Sequence, residues 1–188
     1  MVGKRMGFPV RPELAPVSDA MLVEQMRQGD GGAFREIYDR HSGYVAGIVF
    51  RLCGGDGELD DIIQETFLAA ARDARQIEHP ERVRAWLTAV AVRRAKRHLT
   101  RRRSRSKLER DWSAERPASN DQPDAARRRE VYAALDRLSP ELRVPLVLSR
   151  VEGMTLPEVA EACGKSLNTV KRRIAAAEQR MRRLLGAE

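Results

Sequence analysis

Lys171, Arg172 and Arg173 stand side by side just after Asn168 and Thr169, in the stretch TLPEVAEACGKSLNTVKRRI. Three adjacent cationic side chains favour a polyanion, and two residue types in this stretch can also read sequence. An Arg fork matches the O6/N7 edge of guanine, and an Asn amide matches the N6/N7 edge of adenine. Arg172 is therefore a candidate for a guanine edge and Asn168 for adenine. Lys171 and Arg173 suit phosphate oxygens, contacts that position a protein on DNA without specifying sequence. Thr169 and Ala175 fall on or near the same side. The plainer alternative is a solvated basic face on an ordinary helical hairpin.

Base reading requires these side chains to project from a helix that stands clear of its neighbours. The surrounding residues supply one. Thr155 and Glu158 have capping-box spacing and start a helix. Leu156, Val159, Ala160 and Cys163 give that helix a buried side, and Gly164 supplies the left-handed residue that ends it. Ser166 caps a second helix from Leu167 to about Leu185, whose apolar stripe is Leu167, Val170, Ile174, Ala177, Met181 and Leu184. So short a connection forces a steep crossing, the geometry of a helix-turn-helix that presents its second helix to the major groove. Upstream, Ser139 and Pro140 open another helix, with Pro145 placed to kink it.

A second set of polar residues lies in the first half. A helix over about Glu58 to Arg75 buries Leu59, Ile63, Thr66, Phe67, Ala70 and Ala74, which leaves Asp61, Gln64, Glu65 and Leu68 on an outward face, acidic with one apolar member. The next helix, about Glu81 to Arg102, buries Val83, Trp86, Leu87, Val90, Ala91, Ala95 and Leu99. It carries a polar stripe of Arg93, Lys96, Arg97, Thr100 and Arg101, widened by Arg94, Arg102 and Arg103. Two earlier helices complete a four-helix module: one capped by Ser18 that runs from Asp19 to about Gln28, and one from about Phe34 to Leu52 whose core-facing stripe is Phe34, Ile37, Tyr38, His41, Val45, Ile48 and Leu52. Between 104 and 126 periodicity is lost in a Pro-, Ser- and Asn-bearing stretch that holds Trp112. The expected architecture is all-α: a tail at 1–17, a helical domain at 18–103, a flexible linker at 104–126 and a helix-turn-helix domain at 127–188.

Composition agrees with this division. Charged residues make up 33% of the chain and aromatics 5%, with a formal net charge of +8. That favours helices over sheets and a polyanionic partner. No apolar run approaches the length of a membrane span, and the basic, Pro-rich N-terminus lacks the apolar core of a signal peptide. A cytoplasmic protein without membrane insertion is expected. Cys53 and Cys163 have no metal-ligand spacing, so no metal site is expected. Cys163 reads as a small apolar residue at a helix end, and His41 as part of a helix face. No nucleophile–base–acid set or phosphate loop is present, and Asp60 and Asp61 diverge on their helix. Neither an enzyme nor a cofactor is therefore expected.

The run LSPELRVPLVLSRVEGMTLPEVAEACGKSLNTVKRRIAAAEQRMRRLL resembles region 4 of the sigma-70 family of bacterial transcription initiation factors. The likeness rests on VEG-x-[ST]-x-x-E-[VI]-A followed by S-x-x-TVK-x-R. It fits the small extracytoplasmic-function (ECF) group, which keeps only regions 2 and 4. LDDIIQETFLAAAR is similar to the region 2 helix that docks on core RNA polymerase, and HPERVRAWLTAVAVRRAKRHLTRRR to the promoter −10 segment.

The resemblance implies a factor that binds core polymerase, reads −35 and −10 elements and helps open the −10 region. Asn168, Thr169, Lys171, Arg172 and Arg173 would serve the −35 element. Arg93, Lys96, Arg97 and Arg101 would line the −10 DNA, with His79 beside a pocket for an extruded base. Asp61, Gln64, Glu65 and Leu68 would meet the β′ clamp helices. The implied partners are core polymerase, through the β′ clamp helices and the β flap, promoter DNA, and an anti-sigma factor. Opening would draw on binding energy alone. The chain departs from the family where AVRRAKR replaces A-R-N-x-A-x-D, so that Val92, Arg93 and Arg97 stand in place of Arg, Asn and Asp. Ala175 and Ala176 likewise replace positions that are often polar or basic. On the residues alone, a helix-turn-helix regulator that acts without polymerase remains the alternative.

Overall fold

The computed structural model describes residues 17–54, 58–109 and 123–186, and among these every regular element is helical. The α helices are α1 (Asp19–Arg27), α2 (Gly31–Cys53), α3 (Leu59–Arg72), α4 (Val83–Glu109), α5 (Pro123–Asp136), α6 (Pro140–Arg150), α7 (Leu156–Cys163) and α8 (Leu167–Leu185). Single 3-10 turns at Ala74–Gln76 and Pro80–Arg82 join α3 to α4.

The helix ends follow local chemistry. The Ser18 hydroxyl accepts from the Met21 N–H at 3.3 Å, and the Asp30 carboxylate accepts from Gly32 and Ala33 at 2.7 and 3.3 Å. Each satisfies amide groups that the first turn cannot pair internally. Gly54, at φ +83°, ends α2 in the left-handed region, where a side chain would be strained. At α7, Glu158 accepts from the Thr155 N–H at 2.8 Å and from its hydroxyl at 2.7 Å, and these bonds hold its carboxyl below the usual range.

Helices α1 to α4 enclose a core built from Val23, Ile37, Val45, Ile48, Phe67 and Leu87. His41 is buried against α1, with Nε2 2.8 Å from Asp19 Oδ2. Phe67 meets the ring of Tyr38 edge-on, centroids 4.7 Å apart. In the second half α6, α7 and α8 pack around Val147, Leu148, Val159, Val170 and Ile174. The two halves also pack on each other, with α4 lying against α6 and α7. At this junction Arg51 of α2 donates to Glu152 at 2.7 Å, Arg82 to Glu161 at 2.5 Å, and Arg102 to Asp136 at 3.1 Å.

Several local expectations shift. Helix α4 continues past Arg102 to Glu109, because RSRSKLE contains no Gly or Pro to stop it, and Arg105 reaches Glu58 at 3.6 Å. Helix α5 begins at Pro123 rather than near Arg127, with the proline in a first-turn position that needs no N–H. Pro145 lies inside α6 without ending it. Ile62 takes the core position expected of Ile63, which is only half-buried. Thr88 and Val92 are buried on the side of α4 that faces the second half. Trp112 lies outside the described residues. Among the described residues no helix is long and apolar enough to cross a membrane, and no group of His, Cys, Asp and Glu is placed to hold a metal ion.

Candidate nucleic-acid interface

Helix α8 is set by the Ser166 cap, whose Oγ lies 3.4 Å from the Thr169 N–H and 2.9 Å from its hydroxyl. Its apolar stripe, Val170, Ile174 and Ala177, is buried. That orientation leaves Asn168, Lys171, Arg172, Ala175 and Ala176 exposed. Two of the five residues assigned to this helix differ from the rest. Thr169 is half-buried and engaged in the cap. Arg173 is half-buried too, turned back so that Nη1 lies 2.9 Å from Glu141 Oε2.

The basic stripe of α4 divides in the same way. Arg93, Arg97 and Arg101 are exposed, whereas Lys96 faces the second half and pairs with Glu141 Oε1 at 2.8 Å. Arg94 donates to Glu65 at 2.5 Å, and Arg102 to the Cys53 carbonyl at 3.0 Å, which satisfies an acceptor at the end of α2. His79 is exposed just before the Pro80–Arg82 turn, with Nδ1 3.3 Å from Glu81.

Glu141 therefore receives a cation from each half. Burial raises its carboxyl pKa, but the hydrogen bond to Lys96 and the charges of Lys96, Arg173 and Lys165 outweigh it and hold the group below the usual range. Beside it, between α4 and α6 to α8, lies a cavity of about 130 Å³ walled by Val92, Pro140, Val144 and Cys163. Burial pushes the Cys163 thiol up to about 11 despite the nearby Arg173 and Lys96.

In the first half, Asp61, Gln64, Glu65 and Leu68 are all exposed along α3. Gln64 and Leu68 border a groove of about 650 Å³ between α2 and α3. Its walls also include Phe34, Tyr38, Asp60, Ile63 and Phe67. The contribution of α2 is missing from the sequence reading, which placed Phe34 and Tyr38 on a core-facing stripe; Tyr38 is in fact exposed. A second groove, of about 420 Å³ and mostly apolar, lies between α5, α6 and α8 and is lined by Val131, Leu135, Leu146, Val151, Met181 and Leu185.

A family model described as Sigma-70 region 2 matches residues 37–105, and one described as Sigma-70, region 4 matches residues 128–181. The RNA polymerase sigma factor CarQ of Myxococcus xanthus is 30% identical over 170 residues, which is 87% of this chain and 95% of that protein. The ECF RNA polymerase sigma factor SigM of Mycobacterium tuberculosis is 31% identical over 177 residues, 90% of this chain and 85% of SigM. Among solved structures, CnrH in complex with the cytosolic domain of CnrY is similar, with a TM-score of 0.65 and 26% identity over 90% of this chain and 98% of that one.

Proposed function

The chain belongs to the sigma-70 family of RNA polymerase sigma factors, in the ECF group, and from that premise we propose that it recruits core polymerase to promoters by reading −35 and −10 elements and aiding −10 opening. The observation that carries this reading is the pairing, in one chain, of an exposed Asn168/Lys171/Arg172 surface with an acid-rimmed apolar groove on a separate module. The first has the chemistry of duplex recognition, and the second that of a protein partner with basic, apolar-edged helices. A polymerase-independent regulator would leave the second surface without a role.

The α2–α3 groove and its rim of Asp61, Gln64, Glu65 and Leu68 receive the β′ clamp helices. Complementary charge guides the encounter, and desolvated central contacts such as Leu68 hold it. The apolar groove between α5, α6 and α8 takes the β flap. Arg93, Lys96, Arg97 and Arg101 follow the −10 backbone, and His79 stands where a base leaves the stack. Unstacking costs a few kcal/mol, offset by capture of single-stranded bases and phosphates. Arg97 in place of an acid adds to non-specific, salt-dependent binding. By likeness to CnrH, which its structure holds against CnrY, an inhibitory protein partner is also proposed.

The test is run-off transcription from a promoter library with purified core polymerase lacking its own specificity subunit. Transcripts starting downstream of a shared −35/−10 pattern are expected. Absence of both transcription and co-elution with core polymerase returns the chain to the regulator class. On a promoter so found, Arg172→Ala relaxes one −35 position by about 1–3 kcal/mol. Lys171→Ala weakens binding evenly across sequences. Selection of binding sites from randomised duplexes separates the two, and an even loss for Arg172→Ala removes its assigned role.

A further inference from the structure

Glu141 sits in the first turn of α6 and touches Lys96 of α4 and Arg173 of α8 at once, at 2.8 and 2.9 Å. The first contact is a hydrogen-bonded pair. The second is an ion pair whose N–H is not aligned on the oxygen. These two cations come from the two separate sets assigned above to −10 and −35 DNA, and both are drawn inward, with side chains 34% and 23% exposed. Their neighbours Arg93, Arg97, Lys171 and Arg172 remain exposed.

We propose that Glu141 stands in for a DNA phosphate: it closes the chain on itself by occupying one cation from each DNA-contacting helix, and promoter DNA must displace it. The inference rests on the reading of α4 and α8 as DNA-contacting helices. Apolar packing supports the closure, since Val92 is 2% exposed and lines the same cavity as Pro140 and Val144. The contacts Arg51–Glu152, Arg82–Glu161 and Arg102–Asp136 also bridge the halves but use no residue assigned to DNA. They hold the halves together without covering the reading surface, and that separates Glu141 from the other bridging carboxylates.

Distance requires the closed form to open. Elements centred about 25 base pairs apart lie roughly 85 Å apart on straight B-DNA at about 3.4 Å per base pair. A compact fold of this length has a radius of gyration of about 16 Å, too small to reach both. The chain between the end of α4 at Glu109 and the start of α5 at Pro123 can span up to about 50 Å when extended, at roughly 3.3–3.6 Å per residue. That allows the two halves to separate onto their elements once DNA displaces Glu141 and the other bridging pairs give way.

The test uses the full-length protein and a generic 30-base-pair duplex at low salt, so it does not depend on polymerase. Glu141→Gln keeps the side chain's size and removes its charge. Its affinity for the duplex is expected to rise about 5–10-fold. The slope of log affinity against log salt should steepen by up to about 2, because Lys96 and Arg173 are then free to neutralise phosphates and release the counterions condensed on the DNA. A double-mutant cycle separates this from a simple gain of positive charge. In a Lys96→Gln/Arg173→Gln background, Glu141→Gln should change neither affinity nor slope. Circular dichroism confirms that each variant is folded. Unchanged affinity for Glu141→Gln, or an equal gain in the background lacking both cations, overturns the proposal. A chain that gains duplex affinity yet never binds core polymerase keeps this inference and loses the polymerase-recruiting role.

Discussion

Reversing Asp61 and Glu65 together (D61R/E65R) is expected to abolish binding to core polymerase, with affinity falling at least about 100-fold. Both carboxylates are exposed on α3 beside the groove that Gln64 and Leu68 border. Replacing them with guanidinium groups turns attraction for a basic helix into like-charge contact. Such a mismatch costs several kcal/mol, and about 1.4 kcal/mol is a factor of ten. The structure adds a reason to test Asp61→Arg alone as well. Glu65 accepts from Arg94 at 2.5 Å, so changing it disturbs an intrachain pair, whereas Asp61 has no such tie among the described residues. Most of the loss should already be present in Asp61→Arg. Co-elution and interferometry with purified core polymerase measure it, with duplex binding by the same variants as the control for folding. Wild-type affinity for polymerase, with DNA binding intact, would mean that the docking face lies elsewhere.

The second large effect is structural. Phe67→Ala should destabilise the first half by about 3–5 kcal/mol, the usual range for truncating a fully buried aromatic. Phe67 is 2% exposed, packs edge-on against Tyr38 and lines the docking groove. Domain stabilities are about 5–15 kcal/mol, so the variant keeps only part of its margin. Urea titration followed by helical signal should show the loss as a lowered midpoint. Leu68→Ala, one residue on, provides the contrast. Leu68 is 58% exposed, so its removal should leave stability within about 0.5 kcal/mol while weakening polymerase binding. Stability loss of similar size at both positions would place Leu68 in the core and remove it from the docking face.

Much of each half was legible because its signals are local. Caps at Ser18, Ser166 and Thr155, the glycine after α7, and three-and-four spacing along α2 and α8 each act within a few residues. The exposure of Asp61, Gln64 and Leu68 follows from the apolar stripe of α3, and that of Asn168, Lys171 and Arg172 from the stripe of α8. What stayed hidden depends on contacts between distant segments. Val92 falls outside the apolar stripe of α4 because it is buried against Pro140 and Val144 of the second half, and Thr88 because it lies between Tyr44 of α2 and the second half. Arg143 is 2% exposed at the junction, with Nη1 2.5 Å from Asp136, although nothing local marks an Arg in α6 for burial. Lys96 and Arg173 look like ordinary members of basic runs until Glu141 is placed between them. Tyr38 was misread for the opposite reason. It keeps helical spacing with core residues, yet it sits at the edge of the stripe, where the groove opens.

The thiol of Cys163 faces the cavity between the two halves, and burial holds its pKa at about 11. At neutral pH its thiolate is therefore a much smaller fraction than for an ordinary thiol. Alkylating reagents attack the thiolate, so this half-buried side chain should react slowly while the halves are packed together and faster if they separate as proposed. The protein thus carries its own chemical stopwatch: the rate at which iodoacetamide modifies Cys163 reports how often the halves come apart, without any attached dye.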